Sequence, residues 1–136
     1  GLAGLRVGYA LTSAKVRAAL DAVRQPFSVN ALAQAAGAEA IRHQDDVAQR
    51  VERTIVERVF VEEGVRELGL RTPDSHANFS WIDLGDADEG EVVKSLGDSG
   101  VVVRPGTPLG GPGHIRVSYG VREQNQRFLD GLAAAI

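Results

Sequence analysis

Residues 77–84 read ANFSWIDL, and their periodicity decides the fold. Upstream, apolar positions recur at helical spacing. Here Phe79, Trp81 and Asp83 alternate with Asn78, Ser80 and Ile82, the period of two that belongs to a strand. Downstream, DEGEVVKSLGDSG (88–100) reads as a short helix finishing at Gly97 or Gly100, and VVVRPG (101–106) as a second strand. PLGGPG (108–113) is a flexible turn and HIRVSYG (114–120) a third strand. REQNQRFLDGLAAAI (122–136) closes the chain as a helix with Phe128, Leu129 and Leu132 inward. The order from about residue 70 is β–α–β–β–α, which describes a small α+β layer with helices on one face of a mostly antiparallel sheet.

Before this layer lies DDVAQRVERTIVERVFVEEGVRELGL (45–70), a long amphipathic helix with an apolar stripe through Val47, Val51, Ile55, Val59, Val65 and Leu68. Asp45 and Asp46 suit its N-terminus and Gly69 its end. NALAQAAGAEAIRH (30–43) is rich in small residues, as a closely packed helix requires. At the front, LRVGYAL (5–11) reads as a short buried strand. Ser13 reads as the N-cap of a helix over 14–24 with Val16, Ala19, Leu20 and Val23 on one face. Pro26 stops that helix, and QPFSVN (25–30) is an irregular connector.

The 136 residues are about one domain's length, 43% hydrophobic and 24% charged, ordinary for a globular chain that buries its own core. The net charge of −3, with both signs interspersed, leaves no nucleic-acid footprint. No apolar run is long enough to cross a bilayer. Cysteine is absent, so disulfides, thiolate nucleophiles and cysteine zinc sites are excluded, and a reducing cytoplasm fits. Methionine is absent too, which reads as removal of an initiator or as truncation.

Few residues offer chemistry. His43, His76 and His114 are scattered in no metal-ligand pattern, and no serine lies in a nucleophile elbow. GLAG (1–4) lacks the basic flanks of an RNA clamp, and GGPG (110–113) lacks the lysine and helix of a phosphate loop. The arginines say more. Arg116 alternates with Ile115 and Val117, and Arg104 ends the neighbouring strand, so the turn between them brings both to one edge. Two guanidinium groups so placed clamp a carboxylate or phosphate through charge-assisted hydrogen bonds, or else each is a surface arginine paired with a nearby Asp or Glu. Arg6, entering the first strand after a glycine turn, carries the same two readings.

GLAGLRVGYA (1–10) resembles the segment that follows the Schiff-base lysine in fold-type I, pyridoxal-phosphate-dependent aminotransferases. The likeness is to the histidinol-phosphate branch, which includes aromatic amino-acid aminotransferases. QPFSVNALAQAA (25–36), SHANFSWIDL (75–84), GVVVRPG (100–106) and HIRVSYGVREQNQRFL (114–129) extend the resemblance along the chain in order.

The resemblance implies an α/β fold. Residues 1–25 would be the tail of the large cofactor-binding domain, a strand plus helix, and 26–136 an interdomain helix and small α+β domain. It also implies pyridoxal 5'-phosphate as cofactor and a cofactor-bearing lysine three residues before Gly1. Neither Lys15 nor Lys94 stands in that lysine's context. Arg6 matches the arginine that holds the cofactor phosphate, and Arg116 the one that binds the substrate's anionic end. Arg104 matches a second arginine that helps with a phosphate. Asn78 takes no assigned role.

The implied activity is amino transfer between L-histidinol phosphate and 2-oxoglutarate or glutamate by ping-pong exchange, in histidine biosynthesis. Aromatic amino acids are the alternative substrate. The implied partners are small amino and oxo acids, the upstream large domain and a second copy in a homodimer, in the cytoplasm. A different class, a non-enzymatic α+β module sensing a small anion through Arg104 and Arg116, is the remaining alternative.

Overall fold

Two side-chain caps start the first helices. Ser13 Oγ accepts the Val16 N–H at 3.4 Å and opens α1 (Ala14–Val23). Asn30 Oδ1 accepts the Ala33 N–H at 2.8 Å and opens α2 (Ala31–Ala40). The computed structural model describes every residue, Gly1–Ile136, in two compact units, Gly1–Ala48 and Gln49–Ile136.

In the first unit the expected strand over 5–11 does not form. A single 3-10 turn spans Ala3–Leu5, and residues 7–12 make no backbone–backbone hydrogen bond. A strand exists only through a neighbour's N–H and C=O groups, and the rest of this unit is helix and connector. The apolar face of α1 is present but uncovered: Val16, Leu20 and Val23 are all exposed. In α2 the small residues do allow close approach. Ala33 is fully buried, and a Cβ on Gly37 would lie 3.7 Å from Val7 Cγ2.

The long helix α3 (Gln44–Glu67) begins in the first unit and ends in the second. Its stripe is only partly used. Val47, Val51, Ile55 and Val59 stand exposed, and the buried positions are Val61, Glu62 and Val65. The reason is local cover: only the last turns of α3 pack on other elements, and there Gly64 leaves room for Leu129. Gly69, at φ 78°, ends the run, with the Leu70 N–H returning to the Val65 carbonyl at 3.2 Å.

The second unit holds a three-stranded antiparallel sheet in the order β1 (Phe79–Asp83), β3 (His114–Ser118), β2 (Arg104–Pro105). Ile82 pairs with Ile115 and Trp81 with Arg116 across β1 and β3, while Arg104 pairs with Arg116 across β2 and β3. Ile82, Leu84, Ile115 and Val117 point inward against α4 (Glu89–Asp98) and α5 (Arg122–Ala135). Val92 and Leu96 of α4 and Phe128, Leu129 and Leu132 of α5 complete the core, as expected for α5. Each such side chain stabilises by about 1.5–3 kcal/mol on burial.

The second strand is shorter than its sequence suggests. Gly100, at φ 78°, reverses the chain after α4, and the Val101 N–H closes on the Leu96 carbonyl at 2.8 Å. The helix terminus thus engages the first residue of the expected strand, and pairing with β3 begins only at Arg104. The β–α–β–β–α order stands. No helix is long and apolar enough to cross a membrane.

Candidate functional site

One sheet face carries the core. Its opposite face carries Phe79, Trp81, His114, Arg116 and Arg104, because alternation sends every second side chain of β1 and β3 outward. Trp81, Arg116 and Arg104 form a row across the three strands. Trp81 stacks on His114 with centroids 5.3 Å apart, and the Arg116 guanidinium lies 5.1 Å from the Phe79 ring centroid. That cation–π contact orients Arg116 while leaving its N–H groups for other partners.

Arg104 and Arg116 are directly opposite each other, and neither makes an ion pair. The reading in which a nearby carboxylate neutralises each of them is therefore not what the structure displays. Like charges facing across a ladder destabilise it by about 0.2–1 kcal/mol. Both arginines line an open cleft of about 480 Å³, together with Val103, Ser118, Asn125 and Arg127, and no Asp or Glu lines it. Such a cleft suits a compact anion with oxygen acceptors.

Arg127 is a cleft residue that sequence reasoning missed. Its guanidinium donates to the Ser99 carbonyl, closing the C-terminal end of α4. No spacing in α5 distinguishes it from its neighbours. Asn78 contributes a carbonyl that accepts the Tyr119 N–H at 3.1 Å.

Arg6 belongs to the first unit. It ends the 3-10 turn in the left-handed region, at φ 58° and ψ 44°, uncommon for a residue with a Cβ. Its backbone N–H and its Nη1 both return to the Ala3 carbonyl, at 3.2 and 3.0 Å. The side chain is exposed and has no carboxylate partner, so the rest of its donor fork is open.

Two carboxylates brace the sheet's rim. Asp83 accepts the Gly85 N–H at 2.9 Å and pairs with Arg71 at 2.7 Å, and the Gly85 bond first and Arg71 after it hold its carboxyl below the usual range. Glu89 is held low chiefly by the Thr107 N–H. No group of three or more His, Asp or Glu converges as a metal site requires.

The second unit is an α+β layer whose outer sheet face presents two arginines without carboxylate partners. Its fold is that of known transaminating enzymes. Histidinol-phosphate aminotransferase from Sinorhizobium meliloti, solved in complex with pyridoxal-5'-phosphate, superposes with a TM-score of 0.75 at 26% identity over 99% of this chain and 38% of that one. The chain belongs to the aminotransferase class I and II family, which it matches over residues 1–132. Histidinol-phosphate aminotransferase 2 of Pseudomonas aeruginosa is 43% identical over 136 residues, all of this chain and 37% of that protein. An aromatic amino acid aminotransferase of Mycobacterium bovis is 37% identical over 129 residues, 95% of this chain and 35% of that protein. The chain thus spans little more than a third of the length of the curated relatives it matches.

Proposed function

We propose that the protein carrying this chain is a pyridoxal-phosphate-dependent aminotransferase that exchanges an amino group between L-histidinol phosphate and 2-oxoglutarate or glutamate. One observation carries the reading: Arg104 faces Arg116 across the β2–β3 ladder with no carboxylate beside either. Every substrate in that exchange has an anionic end, a phosphate or a carboxylate, and a pair of guanidinium groups takes either. The relatives named histidinol-phosphate aminotransferase, at 40–43% identity, support the phosphate-bearing substrate. The relative named aromatic amino acid aminotransferase supports a second reading, in which the same arginines hold the carboxylate of an aromatic amino acid.

Arg6 fits a phosphate holder, since an exposed guanidinium without a carboxylate partner keeps most of its donors open. When bound, the cofactor supplies the electron sink for charge left at the substrate's α-carbon. In this reading Arg6 binds the cofactor phosphate, while Arg116 and Arg104 bind and orient the anionic end of the incoming amino or oxo acid. Phe79 keeps the Arg116 guanidinium aimed outward. We take residues 1–25 as the tail of the cofactor-binding domain and 26–136 as interdomain helix and small domain, in a cytoplasmic homodimer.

The test compares kcat/KM of the full-length enzyme for histidinol phosphate and phenylalanine, with 2-oxoglutarate as the common amino acceptor. Turnover of histidinol phosphate at least tenfold more efficient supports the first reading. The reverse preference establishes the second. Failure to transaminate either overturns both.

A further inference from the structure

We propose that Glu89 is a positioning residue, whose carboxylate fastens the β2–β3 loop to the first turn of α4 and thereby holds Arg104 opposite Arg116. This rests on the reading of those two arginines as an anion clamp. The loop, residues 106–113, runs Gly-Thr-Pro-Leu-Gly-Gly-Pro-Gly, and none of its side chains is buried. A segment so rich in glycine loses much conformational entropy on ordering and has no hydrophobic anchor of its own. The strand before it is only two residues long, so its ladder with β3 is too short to fix a register alone.

Glu89 supplies what the loop lacks. Its Oε1 accepts the Thr107 N–H at 3.0 Å, and its Oε2 accepts the Thr107 hydroxyl at 2.9 Å and the Gly113 N–H at 2.8 Å. One carboxylate therefore grips both ends of the loop, from positions 18 and 24 residues away in sequence. The bonds are charge-assisted, and they keep the carboxyl below the ordinary glutamate range, the Thr107 N–H contributing most.

The fastening propagates directly to the arginines. Immediately outside the gripped residues, the Gly106 N–H donates to the His114 carbonyl at 2.8 Å, two register positions from the Arg104–Arg116 pair. Gly106 has no room for a Cβ, which would collide with the Gly111 and His114 carbonyl oxygens, and Gly111 lies against the Trp81 indole. The loop is thus seated between Glu89 on one side and Trp81 on the other. Glu89 does not line the cleft, and neither do Thr107 and Gly113, which its carboxylate holds, so it acts through the loop and not on a ligand.

The test uses the full-length enzyme with Glu89→Ala, Thr107→Val and, as reference, Arg116→Ala. Three quantities are read: KM for glutamate against kcat, competitive inhibition by inorganic phosphate, and hydrogen exchange of the Thr107 and Gly113 amides. Glu89→Ala should raise KM and the phosphate inhibition constant about tenfold, leave kcat within twofold, and speed exchange at Gly113. Thr107→Val, which removes one of the three bonds and leaves Glu89 in place, should move the same constants less. A merely structural role would lower kcat or cofactor retention as well. If Arg116→Ala weakens phosphate at least tenfold while Glu89→Ala leaves it unchanged, the Glu89 assignment is overturned and the clamp stands. If Arg116→Ala has no effect on phosphate, the clamp fails and the assignment with it.

Discussion

Replacing Arg104 with glutamine should have two effects of opposite sign. Without an anion, the substitution removes a like charge directly across from Arg116 and should stabilise the β2–β3 hairpin by about 0.2–1 kcal/mol. With an anion, it removes the equivalent of one charge-assisted hydrogen bond, about 1.5–3 kcal/mol, so affinity should fall roughly 10- to 150-fold at about 1.4 kcal/mol per decade. Both effects should shrink as salt rises, since Arg104 is exposed and the Debye length falls to about 8 Å at 0.15 M. Hydrogen exchange at the Gly106 amide, which donates to His114 inside the hairpin, reads the first effect. Titration calorimetry with inorganic phosphate reads the second. A variant whose hairpin exchanges faster without phosphate, and whose phosphate affinity stays within twofold, would refute the assignment of Arg104 to anion binding, because Arg104 would then be an ordinary stabilising surface residue.

Two further outcomes follow from the buried polar contacts. Asn125 is buried, accepts the Gly120 N–H at 2.8 Å and donates to Glu57 at 2.7 Å and to the Gly120 carbonyl at 3.1 Å. Asn125→Ala should lower unfolding stability by about 2–4 kcal/mol in urea titration, and a loss below about 0.5 would show that water replaces the amide at no penalty. Tyr119 bonds Ser80 at 3.0 Å and donates to Glu62 at 3.3 Å, and burial, first among its causes, raises its phenol pKa. A folded pKa above the unfolded value means its contribution is complete below about pH 10 and is lost as pH climbs through the folded value. Tyr119→Phe should therefore flatten the alkaline end of the stability profile, and an unchanged alkaline slope would assign that loss to another group.

How much of this was legible in the sequence differs by element. Strand ANFSWIDL, helices α4 and α5 and the antiparallel order follow from local period, and each forms where the pattern places it. The pairing of Arg104 with Arg116 was legible too, since a turn between two short strands leaves little choice of edge. The strand at 5–11 was not, because apolar alternation records a preference for burial and says nothing of whether a neighbour is there to pair. The stripe on α3 misled in the same way: Val51 and Val61 carry equal hydrophobic weight, and only tertiary packing decides that Val61 is covered. Glu89 was invisible for a different reason. Its partners lie 18 and 24 residues away, and a glutamate in the first turn of a helix already has a sufficient local explanation.

The distribution of carboxylates gives the arginine pair its meaning. Acidic residues outnumber basic ones in this chain, 18 to 15, and Arg17, Arg58, Arg66 and Arg122 among others each have one within 4 Å. Glu89 reaches the hairpin that carries Arg104, yet its two oxygens go to Thr107 and Gly113. A fold optimised for stability alone would set an acid opposite Arg116 in β2, turning a repulsive cross-strand pair into an attractive one. Instead the nearby carboxylate orders the loop and the guanidinium groups stay open. Local penalties kept in an otherwise consistent fold mark the places where function opposes folding, and under the proposed reading the substrate's anionic end is what offsets this one.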